Sequence, residues 1–285
     1  MKIPHLVQYQ GSKRMIAPEI IRYFPKNVET LYEPFCGTCA VTILAAQHKL
    51  CSHYVINDIN GPLVHMMKEC IEDPIKLSEA YEAIWNGQHK EGNDNIKYFY
   101  EIRRQFNCGQ RDPARMLFLL ARVVKGAVRY NAEGKMNQSC DKRRFGTKPN
   151  TVKQNALAIS KLLKGKTEYH TMDYKEIIKM ATPKDLVYMD PPYQGTSNET
   201  NQHDNRYITS VQYEEFVNEL YELNRRHIRY IVSYDGKTGD KVIGKPLPED
   251  LHLTHLLINA GTSAQATLHG RKETTYESLY LYQKP

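Results

Sequence analysis

Apolar and polar positions follow two different rhythms along this chain. Short apolar runs of strand length occur at Leu31-Tyr32, Tyr54-Val55-Ile56, Leu186-Val187-Tyr188-Met189, Arg229-Tyr230-Ile231-Val232-Ser233 and Glu277 to Tyr282. The first two enclose a glycine-bearing turn at Pro34 to Thr38 and a helical stretch from Ala40 to His48. A helical Tyr213 to Arg226 separates the third run from the fourth. Short apolar strands alternating with helices predict an α/β fold with a mostly parallel, doubly wound sheet. From about Pro62 to Lys164 the rhythm changes to that of helices, at Leu63 to Trp85, Ile96 to Phe106 and Ala114 to Val128, and then to turn residues at Tyr130 to Gly134. The expected organisation is therefore a sheet domain in two parts, 1–61 and 165–285, interrupted by a largely helical insert at 62–164.

A chain of 285 residues has room for one large domain with such an insertion. No apolar run approaches the roughly 20 residues of a membrane helix, and Met1 to Tyr9 lacks the order of a signal peptide, so a cytoplasmic address is expected. Six cysteines at irregular spacing predict free thiols. The lone CxxC of Cys36 and Cys39 has no second pair within zinc-site spacing, so no metal is expected. Net charge is +7, and its placement is uneven. Between Lys125 and Lys166 eleven Lys and Arg face only Glu133 and Asp141, which leaves the remainder of the chain slightly acidic. Such a patch is either a solvated basic face or the footprint of a phosphate backbone.

The most specific chemical signal is Asp190-Pro191-Pro192-Tyr193, directly after the apolar run that ends at Met189. A strand ending in a carboxylate, two prolines and an aromatic ring sets a rigid acceptor and a stacking face at the carboxyl edge of the sheet, where open α/β folds bind ligands. Prolines fix the turn and leave carbonyl oxygens to accept. This suits a planar amino group on an aromatic base. Its nitrogen lone pair is delocalised into the ring, and acceptors on both hydrogens, from Asp190 and the Pro191 carbonyl, favour the pyramidal, nucleophilic form. Tyr193 would stack on the base. A second signal is Tyr32-Glu33-Pro34-Phe35-Cys36-Gly37-Thr38, followed by Asn57-Asp58 at the next strand's tip. Glycine permits close approach of backbone to ligand, and an acid at that tip is placed for ribose hydroxyls. A packing glycine and a turn aspartate are the alternative reading.

With Tyr9-Gln10-Gly11-Ser12-Lys13, Glu33 to Gly37, Arg129-Tyr130-Asn131 with Gly134 and Asn137, and Asp190 to Tyr193 in that order, the chain resembles the Dam-like (alpha-class, D12 family) DNA adenine-N6 methyltransferases over nearly its whole length. The resemblance implies a Rossmann-like methyltransferase sheet whose inserted target-recognition domain carries a β-hairpin. It implies S-adenosylmethionine as cofactor, double-stranded DNA as partner and base flipping as the route to the amine. Tyr9, Gly11 and Lys13 would enclose the methionine end. Glu33, Pro34, Phe35 and Gly37 would form the loop beneath it, Asp58 would bind the ribose, and Asp173 and Tyr174 would contact the cofactor's adenine. Asp190 would touch the cofactor as well as the base, with Pro191, Pro192 and Tyr193 completing the catalytic motif. An N-terminal helix cap is the alternative for Asp173. Ser233-Tyr234-Asp235 could line the base pocket or bury a tyrosine in a turn; Ser263-Ala264-Gln265 and Arg271 have no assigned chemistry.

By the same resemblance the hairpin enters a DNA groove, with Tyr130 as a wedge and Asn131, Glu133 and Lys135, beside Arg129 and Asn137, near base edges. Lys142, Arg143 and Arg144 would grip phosphates. The family usually has lysine just before the first aromatic, where Gln8 stands here, so the commonest family target, GATC, is not assigned. The nearest alternative is methylation of another planar amine: cytosine in DNA, a base in RNA or a glutamine side chain. By the resemblance, Asp at the first motif position favours adenine, whereas cytosine enzymes of this type usually have Ser and the glutamine enzymes Asn. A catalytically silent DNA-binding protein of this fold is the alternative from another class. The resemblance further implies action as a monomer in a bacterial or phage-infected cell, near the nucleoid. Where it serves restriction, a cognate endonuclease would act separately.

Overall fold

The computed structural model describes residues 3–192, 211–238, 241–262 and 274–282. Among them, strands β1 (Val28–Glu33), β2 (Cys51–Asn57), β3 (Thr167–His170), β4 (Leu186–Met189), β5 (Arg229–Thr238), β6 (Lys241–Ile243), β7 (Thr254–Thr262) and β8 (Thr274–Tyr282) form one sheet. Its order is β3-β2-β1-β4-β5-β8-β7, with β6 paired to β5. Strands β1 to β5 run parallel, and β8 lies antiparallel between β5 and β7. The order reverses between β1 and β4, so their carboxyl ends open a crevice there, above Glu33 and before Asp190. This is the doubly wound, Rossmann-like arrangement expected.

The period of two along each strand sorts side chains onto two faces, each with its own core. Leu31, Ile56, Tyr188, Ile231, Leu279 and Leu281 enter one apolar cluster. Their neighbours Tyr32, Val55, Val187, Val232, Tyr280 and Tyr282 enter the other. Helices α1 (Ala17–Ile20) and α2 (Ala40–Gln47) cover the first face, joined by α3 (Gly61–Glu72), α4 (Pro74–Gly87), α5 (Asn95–Asn107), α6 (Pro113–Arg122) and α7 (Pro149–Leu163). Helices α8 (Tyr174–Met180) and α9 (Tyr213–Arg225) cover the second. The helices at 61–163 share their apolar cluster with the sheet. Ser160 of α7 donates to the Ile71 carbonyl of α3 at 2.6 Å, which ties the two ends of this segment together.

Local chemistry explains where the pattern breaks differently from expectation. The periodic stretch Leu63 to Trp85 is two helices, because Pro74 cannot continue α3 and the Asp73 carboxylate caps α4 by accepting from Lys76 N at 3.1 Å. The stretch from Ala114 stops at Arg122, where Val123 turns extended. Helix α7 and strands β3, β6 and β7 were not expected from the pattern. No described helix is long and apolar enough to cross a membrane. All six cysteines are free thiols. Cys36 and Cys39 are buried, and the mutual hydrogen bond, then burial, pushes the Cys36 thiol well up, so the pair belongs to the core.

Candidate active site

The crevice at the switch point is a cavity of about 330 Å³, and it gathers side chains from segments far apart in sequence. Tyr9 to Lys13 form one wall, Glu33 to Thr38 and Asn57 to Asn60 the floor, and Met172 to Tyr174 with Asp190 to Pro192 the far side. Every described residue expected at the cofactor or in the Asp-Pro-Pro motif lines this one space. Tyr193 lies outside the described residues, as do Ser263 to Gln265 and Arg271.

Glu33 ends β1 and turns under the first turn of α2, where its Oε2 accepts from Thr42 N at 3.2 Å and from Thr42 Oγ1. Burial pushes this carboxyl up to about 8 against the lowering effect of those two bonds. Near neutral pH Glu33 is therefore largely protonated. It works as a fixed polar prop for the loop that follows, consistent with the expected place beneath the cofactor.

That loop is shaped by backbone conformation. Gly37 has φ of +49°, and a Cβ there would stand 3.2 Å from the Tyr9 ring, so only glycine leaves the passage between Tyr9 and the loop clear. Gly37 N donates to Asp58 Oδ2 at 3.0 Å, and Asp58 Oδ1 accepts from Asn60 N at 2.9 Å. Burial raises the Asp58 carboxyl above its ordinary value. Asp58 thus fixes the loop from the tip of β2 while facing the cavity.

Asn57, given no role of its own beside Asp58 in the sequence, holds the floor together. Its Nδ2 donates to the Pro34 and Met172 carbonyls at 2.9 and 3.0 Å, and its Oδ1 accepts from Met172 N at 2.9 Å. The signal was available: a buried amide beside the acid at a strand tip needs partners for all its polar atoms. Asp173 caps α8, accepting from Lys175 N at 2.9 Å, and also lines the cavity, so both readings of it hold in space. The Tyr174 ring packs on Phe35 at 5.0 Å between centroids, and its hydroxyl is buried without a hydrogen-bond partner. A glycine cradle, an orphan hydroxyl beside two aromatic faces, and carboxylates at the rim fit a nucleoside joined to a cation. S-adenosylmethionine has that make-up.

Asp190 projects from the end of β4 beside an ammonium. Lys13 Nζ lies 3.1 Å from Asp190 Oδ1 and 2.8 Å from Glu277 Oε1, with the three side chains largely buried. The two carboxylates outweigh the cost of burying the lysine and hold its ammonium well above the ordinary range. Lys13 therefore reaches the Asp-Pro-Pro motif itself, in addition to lining the cavity beside Tyr9 and Gly11. Ser233 bonds the Tyr188 hydroxyl at 2.9 Å and Tyr234 stacks on Phe216, so these two serve packing.

The basic insert carries a short hairpin around Gly134, as expected. Tyr130 bridges Met136 in antiparallel fashion, Asn131 N donates to the Lys135 carbonyl at 2.9 Å and Asn137 N to that of Arg129 at 3.1 Å, and a further bridge joins Val123 to Cys140. Side chains of α5 and the loop after it anchor the turn: Asn107 brackets Met136 at 2.9 and 2.8 Å, Arg103 donates to the Gln138 carbonyl at 2.7 Å, and Arg111 to that of Gly134 at 2.8 Å. Tyr130 lines the cavity, where its hydroxyl donates to Asn60 Oδ1 at 3.2 Å. Asn131 Oδ1 is used within the turn by Glu133 N and Lys135 N, and Glu133 pairs with Lys135 at 2.8 Å. Arg129 is half-buried. Asn131, Glu133, Lys135 and Asn137 are exposed, as are Lys142, Arg143 and Arg144. Asp141 fixes the last turn by accepting from Arg143 N at 3.0 Å, and its carboxylate pairs with the exposed Arg143 and Arg144 at 3.6 and 3.5 Å. Gln8, exposed next to the cavity wall, meets Arg144 at 3.3 Å, so the first motif and the basic cluster adjoin.

Residues 9–260 match the family described as D12 class N6 adenine-specific DNA methyltransferase. Among curated proteins, the chain is 26% identical over 195 residues to the Type II methyltransferase M1.LlaDCHI of Lactococcus lactis subsp. cremoris, covering 65% of this chain and 64% of that protein. It is 25% identical over 245 residues to the Retron Ec67 DNA adenine methylase of Escherichia coli, covering 84% and 75%. Against the DNA adenine methylase of Haemophilus influenzae it is 25% identical over 206 residues, covering 70% and 68%.

Proposed function

This chain belongs to the D12 class N6 adenine-specific DNA methyltransferase family, and from that premise we propose that it moves the methyl group of S-adenosylmethionine to the exocyclic N6 amine of adenine in double-stranded DNA. One observation carries the reading. Asp190 and Pro191, at the end of β4, line the same cavity as Glu33, Gly37 and Asp58, so an amine acceptor and a nucleoside-sized cradle share one space.

The cofactor, when bound, supplies an electrophilic methyl group on a sulfonium. Phe35 and Tyr174 would flank its adenine, Asp58 and Asp173 would receive hydroxyl and amino hydrogens, and the Gly37 turn would pass beneath its chain. The target adenine, flipped from the duplex at a cost of a few kcal/mol, would enter beside Asp190 with Tyr193 against its face. Asp190 and the Pro191 carbonyl would accept the two amine hydrogens, so that the nitrogen lone pair leaves the ring and points at the methyl carbon. After transfer the nitrogen is cationic and strongly acidic and loses its proton to water. Orientation and the negative charge at Asp190 would then supply most of the acceleration. Lys142, Arg143 and Arg144 would hold phosphates, while Gln8, Asn131, Glu133, Lys135 and Asn137 stand exposed for base edges. One cavity and one reading face suit action by a single chain.

The test is incubation of the protein with methyl-labelled S-adenosylmethionine and duplex DNA, followed by digestion to nucleosides. Label in N6-methyladenine supports the reading. Label in cytosine, or none despite DNA binding, rejects it.

A further inference from the structure

Alternation along β8 places Glu277 on the same face as Leu279 and Leu281, both core residues. A carboxylate in that stripe is out of character for a sheet interior and needs a partner. Its placement is built into the backbone. The β5–β8 register slips between Ser233 and Gly236, and Gly236 then sits opposite Glu277. A Cβ on Gly236 would lie 2.0 Å from the Tyr276 carbonyl oxygen, so the strands close up here only because residue 236 is glycine. The partner so reached is Lys13, at 2.8 Å, and Lys13 in turn meets Asp190 at 3.1 Å.

We propose that Glu277 is a positioning residue for methyl transfer, sharing the Lys13 ammonium with Asp190 so that Asp190 keeps its orientation and its acceptor strength. The proposal rests on the methyltransferase reading above. A lysine paired with Asp190 alone would neutralise that carboxylate and draw its electron density away from an incoming amine. Two carboxylates around one ammonium leave the cluster with net negative charge at the end of β4. That charge favours a sulfonium in the adjoining cavity over a neutral thioether, and favours the amine as it becomes positive. Lys13 also joins β8 to the first motif, so the loss of Glu277 lets the ammonium swing fully onto Asp190.

Glu277→Gln and Glu277→Asp test this with two readouts. In Glu277→Gln the single-turnover transfer rate should fall at least about tenfold with KM for DNA unchanged. The preference for S-adenosylmethionine over S-adenosylhomocysteine, measured by calorimetry without DNA, should narrow several-fold. Glu277→Asp, which keeps the charge but shortens the reach, should recover part of both. A folded Glu277→Gln protein with wild-type rate and wild-type preference overturns the proposal. So does a lowered rate with the preference unmoved, since that marks a purely structural role. Should Glu277→Gln fail to fold, Glu277→Asp decides through the second readout: a rate and a sulfonium preference that fall together support the role, and a wild-type rate, or a lowered rate with the preference unmoved, overturns it. Wild-type protein that neither binds the sulfonium nor methylates DNA would overturn the functional reading itself, an outcome distinct from a wild-type-like variant.

Discussion

Replacing Asp190 by asparagine keeps the size of the side chain but exchanges one acceptor oxygen for a donor, and alanine removes both oxygens. Two effects follow on different scales. Orphaning one partner of a buried ion pair costs roughly 3 to 5 kcal/mol. Here Lys13 retains Glu277 at 2.8 Å and Asp190 is 18% exposed. The stability loss should accordingly be only about 1 to 2 kcal/mol. The rate effect is larger, because a preorganised group aimed at the reacting centre is lost. By analogy with removal of a single oriented partner in other active sites, that is about 3 to 4 kcal/mol, or roughly 100- to 1000-fold in transfer rate, for asparagine. For alanine, transfer should fall below detection. The assay is rapid-quench single turnover with labelled cofactor, with DNA affinity followed by anisotropy and stability by urea unfolding. Either variant transferring methyl within about threefold of wild type, while folded and bound to DNA, would refute the reasoning.

Ala at Lys142, Arg143 and Arg144 together should weaken binding to all DNA sequences and make the slope of log K against log salt shallower by up to about 2.7, and an unchanged slope would move the phosphate grip elsewhere. Gly126→Ala should destabilise the fold by several kcal/mol in urea unfolding, since φ is +64° and the new Cβ would stand 2.0 Å from the Gln8 carbonyl oxygen. Gly134→Ala, also at positive φ but with open space around it, should cost only about 1 kcal/mol; equal losses would contradict this placement of the Gln8 segment. Glu33 is held up to about 8 in the folded chain against 4.5 for an ordinary glutamate. Its favourable contribution is therefore complete below about pH 4.5 and is lost as pH rises toward 8. Wild-type stability relative to Glu33→Gln should fall by a few kcal/mol across that window, and a flat difference would show Glu33 to be ionised.

The sheet was legible because strands buried on both faces read as continuous apolar runs, as at Leu186 to Met189, all four buried. Its shorter neighbours were not. Strand β3 is a half-exposed Thr-Glu-Tyr-His, and β7 carries an Asn and a Gly near its end, so neither shows the apolar contrast that marks a strand. The cavity floor was legible from the turn at Glu33 to Gly37 and the acid at Asp58, since the turn takes positive φ at Gly37 and the Gly37 and Asn60 amides need an acceptor. The role of Asn57 was not legible because it bonds backbone carbonyls brought in from Pro34 and Met172, which adjacency in sequence does not show. The same holds for Glu277, whose partner Lys13 stands at the opposite end of the chain. The hairpin around Gly134 was legible from its turn residues. The side chains of Arg103, Asn107 and Arg111 that anchor it were not, because they come from a helix and a loop distant in sequence.

A crystal structure of the protein with duplex DNA and a non-transferable analogue of S-adenosylmethionine tests the central claim most directly. The account predicts an extrahelical adenine whose N6 lies within about 3 Å of an Asp190 oxygen and of the Pro191 carbonyl, facing the position of the donor carbon. An adenine bound with N6 away from residue 190, or an Asp190 carboxylate turned wholly onto Lys13 with no contact to the base, would contradict it.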